Sequence, residues 1–466
     1  MLLQFSVENF RSFKTKAVLS LEASADKELP DNTVVCQKNR VLKGAAVFGS
    51  NAAGKSNIFK ALTAAILMIR YSNTRQVGEP LTLMVPFAFD EESAKKPCSF
   101  EFVFLKDNRK YVYGFAATQQ KVTNEYLYVY NSSRATTIFE RDENDEYRFT
   151  SSAVAKRLKP LTAHNTENKL FLATATAWNY EGTRDALMWF MNGINTYSPD
   201  YQQMLNITGP MFEQDTDASL RAFTNGILHE ADINIADYNI ESRELPISSP
   251  QPGVNVVGKE YTITTLHKVK DGRTYPLNLR DESNGTISLF FFAPIIKKAF
   301  ETGETLCIDE FDESLHPLLV QYLVSLFNNP DINKNNAQLI VSTHTSGLMN
   351  LKHLRRDQIY FVEKDNRTGC STLYSLDEFS PRTREDIQKA YLLGRYGSIP
   401  NLGTGDRLSA EKQGISLKQG TPISESERVL FYWRQKEKTR QKRSILRVFQ
   451  VRTMLFASHP AIIQIR

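Results

Sequence analysis

The run Gly49-Ser-Asn-Ala-Ala-Gly-Lys-Ser56 sets two glycines, a lysine and a serine at the spacing a phosphate-binding loop needs. Backbone N–H groups can turn inward around phosphate oxygens only where no Cβ intrudes, which is the use of Gly49 and Gly54. Lys55 would reach the β- and γ-phosphates, and the Ser56 hydroxyl would ligate Mg²⁺. Ser50, Asn51, Ala52, Ala53 and Asn57 complete the loop and the turn behind it. Far downstream, Thr305-Leu-Cys-Ile-Asp-Glu310 is an apolar run ending in two acids. Beside a phosphate loop, Asp309 would hold Mg²⁺ and Glu310 would polarise an attacking water. A second apolar run, Gln338-Leu-Ile-Val-Ser-Thr-His344, ends in a histidine. ATP and Mg²⁺ are the ligands these residue types imply.

Such groups must be carried on rigid elements. Ala45–Phe48 reads as a short buried strand feeding the glycine loop, and Ile58, Leu62, Ala65, Ile66 and Ile69 recur at helical spacing behind it. The helix N-terminus then adds its partial positive charge at the loop. Thr305–Ile308 and Gln338–Ser342 are predicted strands, with helices over 286–300 and Leu315–Phe327. Gln358–Val362 is a further predicted strand. Strands alternating with helices in this way predict a mostly parallel sheet covered by helices.

Leu3, Phe5 and Val7 alternate with polar residues, as in a half-buried strand, and Ala17–Glu22 reads as a second. Period two returns at Phe100, Phe102 and Phe104, then at Tyr111, Tyr113 and Phe115 after a Lys106–Lys110 turn. With Glu125–Tyr130 and Thr137–Glu140, these runs predict an antiparallel β-lobe. Residues 150–240 read as mainly helical, with strand character returning at Glu260–Val269. The division expected is a first lobe over 1–145, a mainly helical insertion over 146–270, a second lobe over 271–402 and a basic extension over 403–466.

Composition narrows the class. After residue 400 there are 13 Lys/Arg against 5 Asp/Glu, a balance of +8 that leaves the first 400 residues at −3. Any nucleic-acid argument from charge is therefore confined to a local patch or the tail. No apolar stretch reaches the roughly 20 residues of a membrane span. The four cysteines are far apart and form no CxxC pair, which fits a reducing cytoplasm. Met1–Phe10 is polar by its fourth residue and lacks the basic start of a signal peptide.

Taken in order, the motifs resemble the ABC-type ATPases of the Rad50/SMC/RecF and OLD lineage. Phe311-Asp-Glu-Ser-Leu-His-Pro317 follows the acids as a D-loop does in that lineage, and His344 resembles its switch histidine, which senses the γ-phosphate. Asp281-Glu-Ser-Asn-Gly-Thr286 resembles its signature loop, with Ser283, Gly285 and Thr286 at the matching positions. Asn9-Phe-Arg-Ser-Phe13 resembles the N-terminal motif of these heads, which implies that Arg11 lies near the nucleotide. The interval from Lys55 to Asp309 is too short and too free of heptads for a coiled-coil arm, so a compact head is expected.

Asn168–Leu172, Leu354–Lys364 and Tyr391–Asn401 resemble the stand-alone RloA/AbiL abortive-infection ATPases, and the likeness covers residues 1–402. It implies a fold of the ABC-ATPase head type. It also implies a homodimer or higher oligomer in which Ser283, Gly285 and Thr286 of one copy complete the site of another. The role implied is sensor or regulator in anti-phage defence, with a Toprim-like nuclease or toxin encoded nearby as effector. DNA remains open as a ligand, and no membrane is expected. Two other readings stand beside it: a RecF-like repair ATPase that binds DNA, and a slowly hydrolysing, nucleotide-gated scaffold that holds an effector. Arg428–Arg452, dense in basic residues interleaved with Phe431, Tyr432, Trp433 and Phe449, departs from the family pattern and reads either as a basic arm or as a solvated extension.

Overall fold

In the computed structural model, which describes residues 1–400 apart from 37, 133, 248–255 and 383–384, the alternating N-terminal residues form β1 (Leu2–Glu8). It pairs antiparallel with β2 (Ala17–Ser20), and a small hairpin of β3 (Thr33–Cys36) and β4 (Asn39–Leu42) follows. Next come β5 (Gly44–Phe48), α1 (Lys55–Arg70) and the short α2 (Glu91–Lys95). The lobe continues through β6 (Cys98–Lys106), β7 (Arg109–Ala117), β8 (Val122–Tyr130), β9 (Ala135–Arg141) and β10 (Tyr147–Arg148). Together they make a seven-stranded sheet in the order β10-β9-β8-β7-β6-β1-β2. The β6–β7 hairpin turns on Asp107 and Asn108, both at positive φ, as a two-residue turn matched to strand twist requires.

The chain then runs through α3 (Ser152–Thr162), α4 (Phe171–Ala177), α5 (Glu181–Asn192), β11 (Ile194–Tyr197), α6 (Tyr201–Glu213) and α7 (Ser219–Glu230). The aromatic face of the lobe packs on α5: Phe104 stacks on Trp189 at 4.0 Å, and Phe102 meets Phe190 edge-on at 5.0 Å. Long antiparallel strands β12 (Asp237–Ile247) and β13 (Val256–Lys268) follow, with β14 (Thr274–Asn278) beside β13. Residues 150–240, read as mainly helical, thus also hold β11 and the start of β12. Four residues with a polar middle, Ile194-Asn-Thr-Tyr197, give no apolar run, and β12 is too rich in charge to show alternation.

The last third gives α8 (Asn284–Thr302), β15 (Thr305–Ile308), α9 (Pro317–Asn328), β16 (Gln338–Ser342), β17 (Ile359–Lys364), β18 (Ser371–Ser375) and α10 (Ile387–Leu392). A six-stranded sheet assembles in the order β11-β15-β16-β5-β17-β18, parallel throughout except for β18. Its central strands β5, β15 and β16 are fully buried, which is why they read as continuous apolar runs. This is the architecture expected from sequence: a mostly parallel sheet flanked by helices, with an antiparallel lobe. Among the described residues no helix is long and apolar enough to cross a membrane. The basic extension expected over 403–466 lies outside the described residues.

Register sets up the site. Ile308 stands opposite Val341, and Ser342 opposite Val47, so β15, β16 and β5 end side by side at one edge. With strands about 4.8 Å apart, whatever follows each end is brought within side-chain reach of the others.

Candidate functional site

β5 gives out at Phe48, and the loop that follows turns through Ala52 at φ 62° and Gly54 at φ 111° into α1. The second of these is a conformation that favours glycine. A Cβ on Gly54 would stand 2.5 Å from Ser371 Oγ and 2.8 Å from Ser12 Oγ, and one on Gly49 would stand 2.4 Å from the Val362 carbonyl oxygen. The loop is also braced from outside. Ser371 donates its hydroxyl to the Ala53 carbonyl at 2.6 Å and its N–H to the Ser12 carbonyl, while the Asn57 amide donates to Ser12 Oγ at 2.7 Å.

Lys55 is buried, and its ammonium donates to the carbonyls of Gly49 at 3.0 Å and Ser50 at 3.3 Å, folded back over its own loop. Burial lowers its pKa, against an opposing pull from Asp309, Asp312 and Glu310. Those acids and Lys55 therefore share one electrostatic neighbourhood. Ser56, half-buried, starts the helix beside it.

Asp309 and Glu310 leave β15 in a bent backbone, with Glu310 at φ 52°. Ser342, at the end of β16, joins them: its hydroxyl donates to Asp309 Oδ1 at 2.5 Å and accepts the Glu310 N–H at 2.7 Å. Phe311 N–H bonds the Ser342 carbonyl, and its buried ring packs on Phe292 of α8 at 5.2 Å. The Glu310 side chain is left exposed beyond this anchored backbone.

Two residues after Ser342, the His344 N–H donates to Asp312 Oδ2 at 2.8 Å, and Thr345 Oγ1 donates to the same oxygen at 3.0 Å. Partial burial, then the Lys55 charge, lower the His344 pKa below its ordinary 6.5, against Asp312 and Glu310. The imidazole is thus held neutral at pH 7. Ser12, Ser342, Asp312 and Ser371 carry no individual signal in the sequence. Ser12, Asp312 and Ser342 lie inside the motifs read from sequence, whereas Ser371 lies outside them all.

The remaining candidates lie elsewhere. Ser283 caps α8, its hydroxyl accepting the Thr286 N–H at 3.1 Å, and is exposed. Gly285 runs close under the loop after the acids, where a Cβ would stand 2.7 Å from the Ser314 carbonyl oxygen. Among the described residues no hydrogen bond or ion pair links Ser283, Gly285 or Thr286 to Gly49–Asn57. Arg11, at φ 49°, bonds Val85 through its backbone, is exposed, and lays its guanidinium 5.7 Å from the Phe10 ring.

The donor set suits a hard cation that keeps its waters. Among the described residues no group of three or more His, Cys, Asp and Glu could hold a metal unaided. One hydroxyl (Ser56) and one carboxylate (Asp309) match Mg²⁺, which takes few protein ligands and leans on water and substrate phosphates. Gly49 and Gly54, where a Cβ would collide with Val362, Ser371 and Ser12, let the loop close against those braces, and a glycine loop at a helix start fits a phosphate chain.

No curated protein matches this chain. Among solved structures it is similar to an SMC head bound to the C-terminal winged-helix domain of ScpA, at 13% identity and TM-score 0.36, over 80% of this chain and 97% of that one. It is similar also to an Smc head domain with an extended coiled coil, bound to the C-terminal domain of ScpA derived from Pyrococcus furiosus (12%, TM-score 0.36, 85% and 98%). A third likeness is to cbiO1 from Clostridium perfringens, part of the ABC transporter complex cbiONQ (12%, TM-score 0.29, 85% and 98%). The model of the family described as "AAA domain, putative AbiEii toxin, Type IV TA system" matches residues 45–182 and 194–350, well over half the chain. Those segments hold the glycine loop, the strand-end acids, Ser342 and His344, and the chain belongs to this family of AAA-type ATPase domains.

Proposed function

We propose that the chain hydrolyses ATP as a head-to-tail dimer and serves as a sensor or regulator in bacterial anti-phage defence, controlling a partner nuclease or toxin. One observation carries the enzymatic part: three adjacent parallel strands end together, gathering Lys55, Asp309, Glu310 and His344 at one edge of the sheet. The backbone N–H groups of the glycine loop and the Lys55 ammonium bind the phosphate chain. Ser50, Asn51, Ala52, Ala53 and Asn57 shape that cradle. Ser56 and Asp309 would hold Mg²⁺, which when bound would supply positive charge against the phosphates. Glu310 orients the water for in-line attack on the γ-phosphorus and accepts its proton as the new O–P bond forms and the bond to the departing ADP breaks. His344 donates a hydrogen bond to the γ-phosphate and reports its presence to Asp312 through their shared loop. Arg11 lies at the nucleotide's margin.

Completion in trans is supported by the Ser283–Thr286 loop. It presents the exposed N-terminus of a 19-residue helix, an anion-favouring end, with no hydrogen bond to Gly49–Asn57 of its own chain among the described residues. The defence role is supported by the family's description and by the likeness to RloA/AbiL-type ATPases. The effector fitting that likeness is a Toprim-like nuclease.

The direct test is Glu310→Gln. Steady-state turnover should fall at least about a hundredfold, the scale of losing a positioned general base, while ATP affinity is retained. Hydrolysis at the parental rate would remove Glu310 from the mechanism and with it the assignment of the strand-end acids.

A further inference from the structure

We propose that Phe89, seated on the β17–β18 hairpin with Lys364, is the platform on which the purine base of the bound nucleotide stacks; the proposal rests on Gly49–Ser56 holding the phosphates. Phe89 is 71% exposed, so one face of its ring is open to a ligand. It is nonetheless fixed. Its ring meets the buried Phe87 edge-on at 5.7 Å, and the Lys364 ammonium lies 5.9 Å from its centroid. Gly369, at φ 69°, passes so close that a Cβ there would stand 2.5 Å from Phe89 Cδ2. The next residue, Asp90, is tied down by an ion pair with Lys14 at 3.1 Å.

The same hairpin braces the phosphate loop. Ser371, two residues beyond Gly369, bonds the Ala53 carbonyl and stands against Gly54, and Val362 lies against Gly49. Gly369 and Ser371 are two residues apart, so their Cα atoms lie within about 7 Å of each other, and the exposed ring rests on the same end of the hairpin as the residue that braces the phosphate loop. Arg11, bonded to Val85 four residues before Phe89, exposes its guanidinium on the same loop junction. An open ring backed by a cation, beside a phosphate site, recognises a planar π-system attached to those phosphates. A purine nucleotide has that chemistry, and inorganic polyphosphate lacks it.

The test is calorimetric titration of the full chain with Mg²⁺ and either ATP or inorganic tripolyphosphate. Phe89→Ala should weaken ATP about tenfold or more, the usual effect of removing a base-stacking ring, and leave tripolyphosphate unchanged. Phe89→Trp should restore ATP binding. Phe89→Ala binding ATP as tightly as the parent, with Lys55→Ala losing it, would overturn the platform alone. Equal weakening toward both ligands would also overturn it, by showing a general disturbance of the site. Parent and Lys55→Ala binding ATP alike would remove the phosphate-loop reading beneath it, and the platform with it.

Discussion

Ser342 holds two functions in one hydroxyl: it donates to Asp309 and accepts from the Glu310 backbone. A non-glycine residue at φ 52° costs on the order of 1 kcal/mol, and the Ser342 hydroxyl and carbonyl are what hold Glu310 and Phe311 in that bend. The carboxylate of Glu310 is aimed by its backbone, so its aim depends on a neighbouring strand. Ser342→Ala should therefore cut turnover roughly tenfold to a hundredfold, from about 1.5–3 kcal/mol of lost charge-assisted bonding. ATP affinity should change little, and a kcat-against-KM comparison separates the two. The acids themselves were readable, because a buried parallel strand ending in Asp-Glu stands out in sequence. Ser342 was not, since its role depends on Ile308 facing Val341 across two strands more than thirty residues apart. Arg11 was readable by likeness only; in the structure its guanidinium lies near the Phe10 ring.

At the scale of elements, the site depends on β5 lying close against β16. Gly44 opens β5, and a Cβ there would stand 2.1 Å from the Leu339 carbonyl oxygen, a backbone atom that cannot swing aside. Gly44→Ala should force the two strands apart and destabilise the fold by about 3 kcal/mol, the upper part of the range for overpacking, measured as a lower urea midpoint with unchanged slope. Turnover at temperatures where the variant stays folded should fall as well, because the same two strands deliver the glycine loop and Ser342. The strands buried on both faces were legible to within a residue, as at Thr305–Ile308 and Gln338–Ser342. β11 and β18 were not, because edge strands take their place from a partner. α8 was legible as an apolar run, but its start two residues earlier follows from the Ser283 cap.

At the scale of the whole molecule, the proposal divides one nucleotide site between two chains. Lys55, Asp309, Glu310 and His344 gather at one sheet edge, while the Ser283–Thr286 loop caps its helix without bonding to the glycine loop of its own chain. If the loop serves a second copy, two different defects must be able to complement one another. Lys55→Ala should leave a chain unable to bind phosphate but with an intact signature loop. Ser283→Arg should leave an intact phosphate loop but block the helix end offered to a partner. The most direct measurement is ATP turnover by each purified variant alone and by an equimolar mixture of the two. The account predicts that each alone is inactive and that mixing restores a substantial fraction of parental turnover, since each mixed dimer holds one complete site. A mixture as inactive as its parts, or Ser283→Arg hydrolysing ATP at the parental rate by itself, would contradict it.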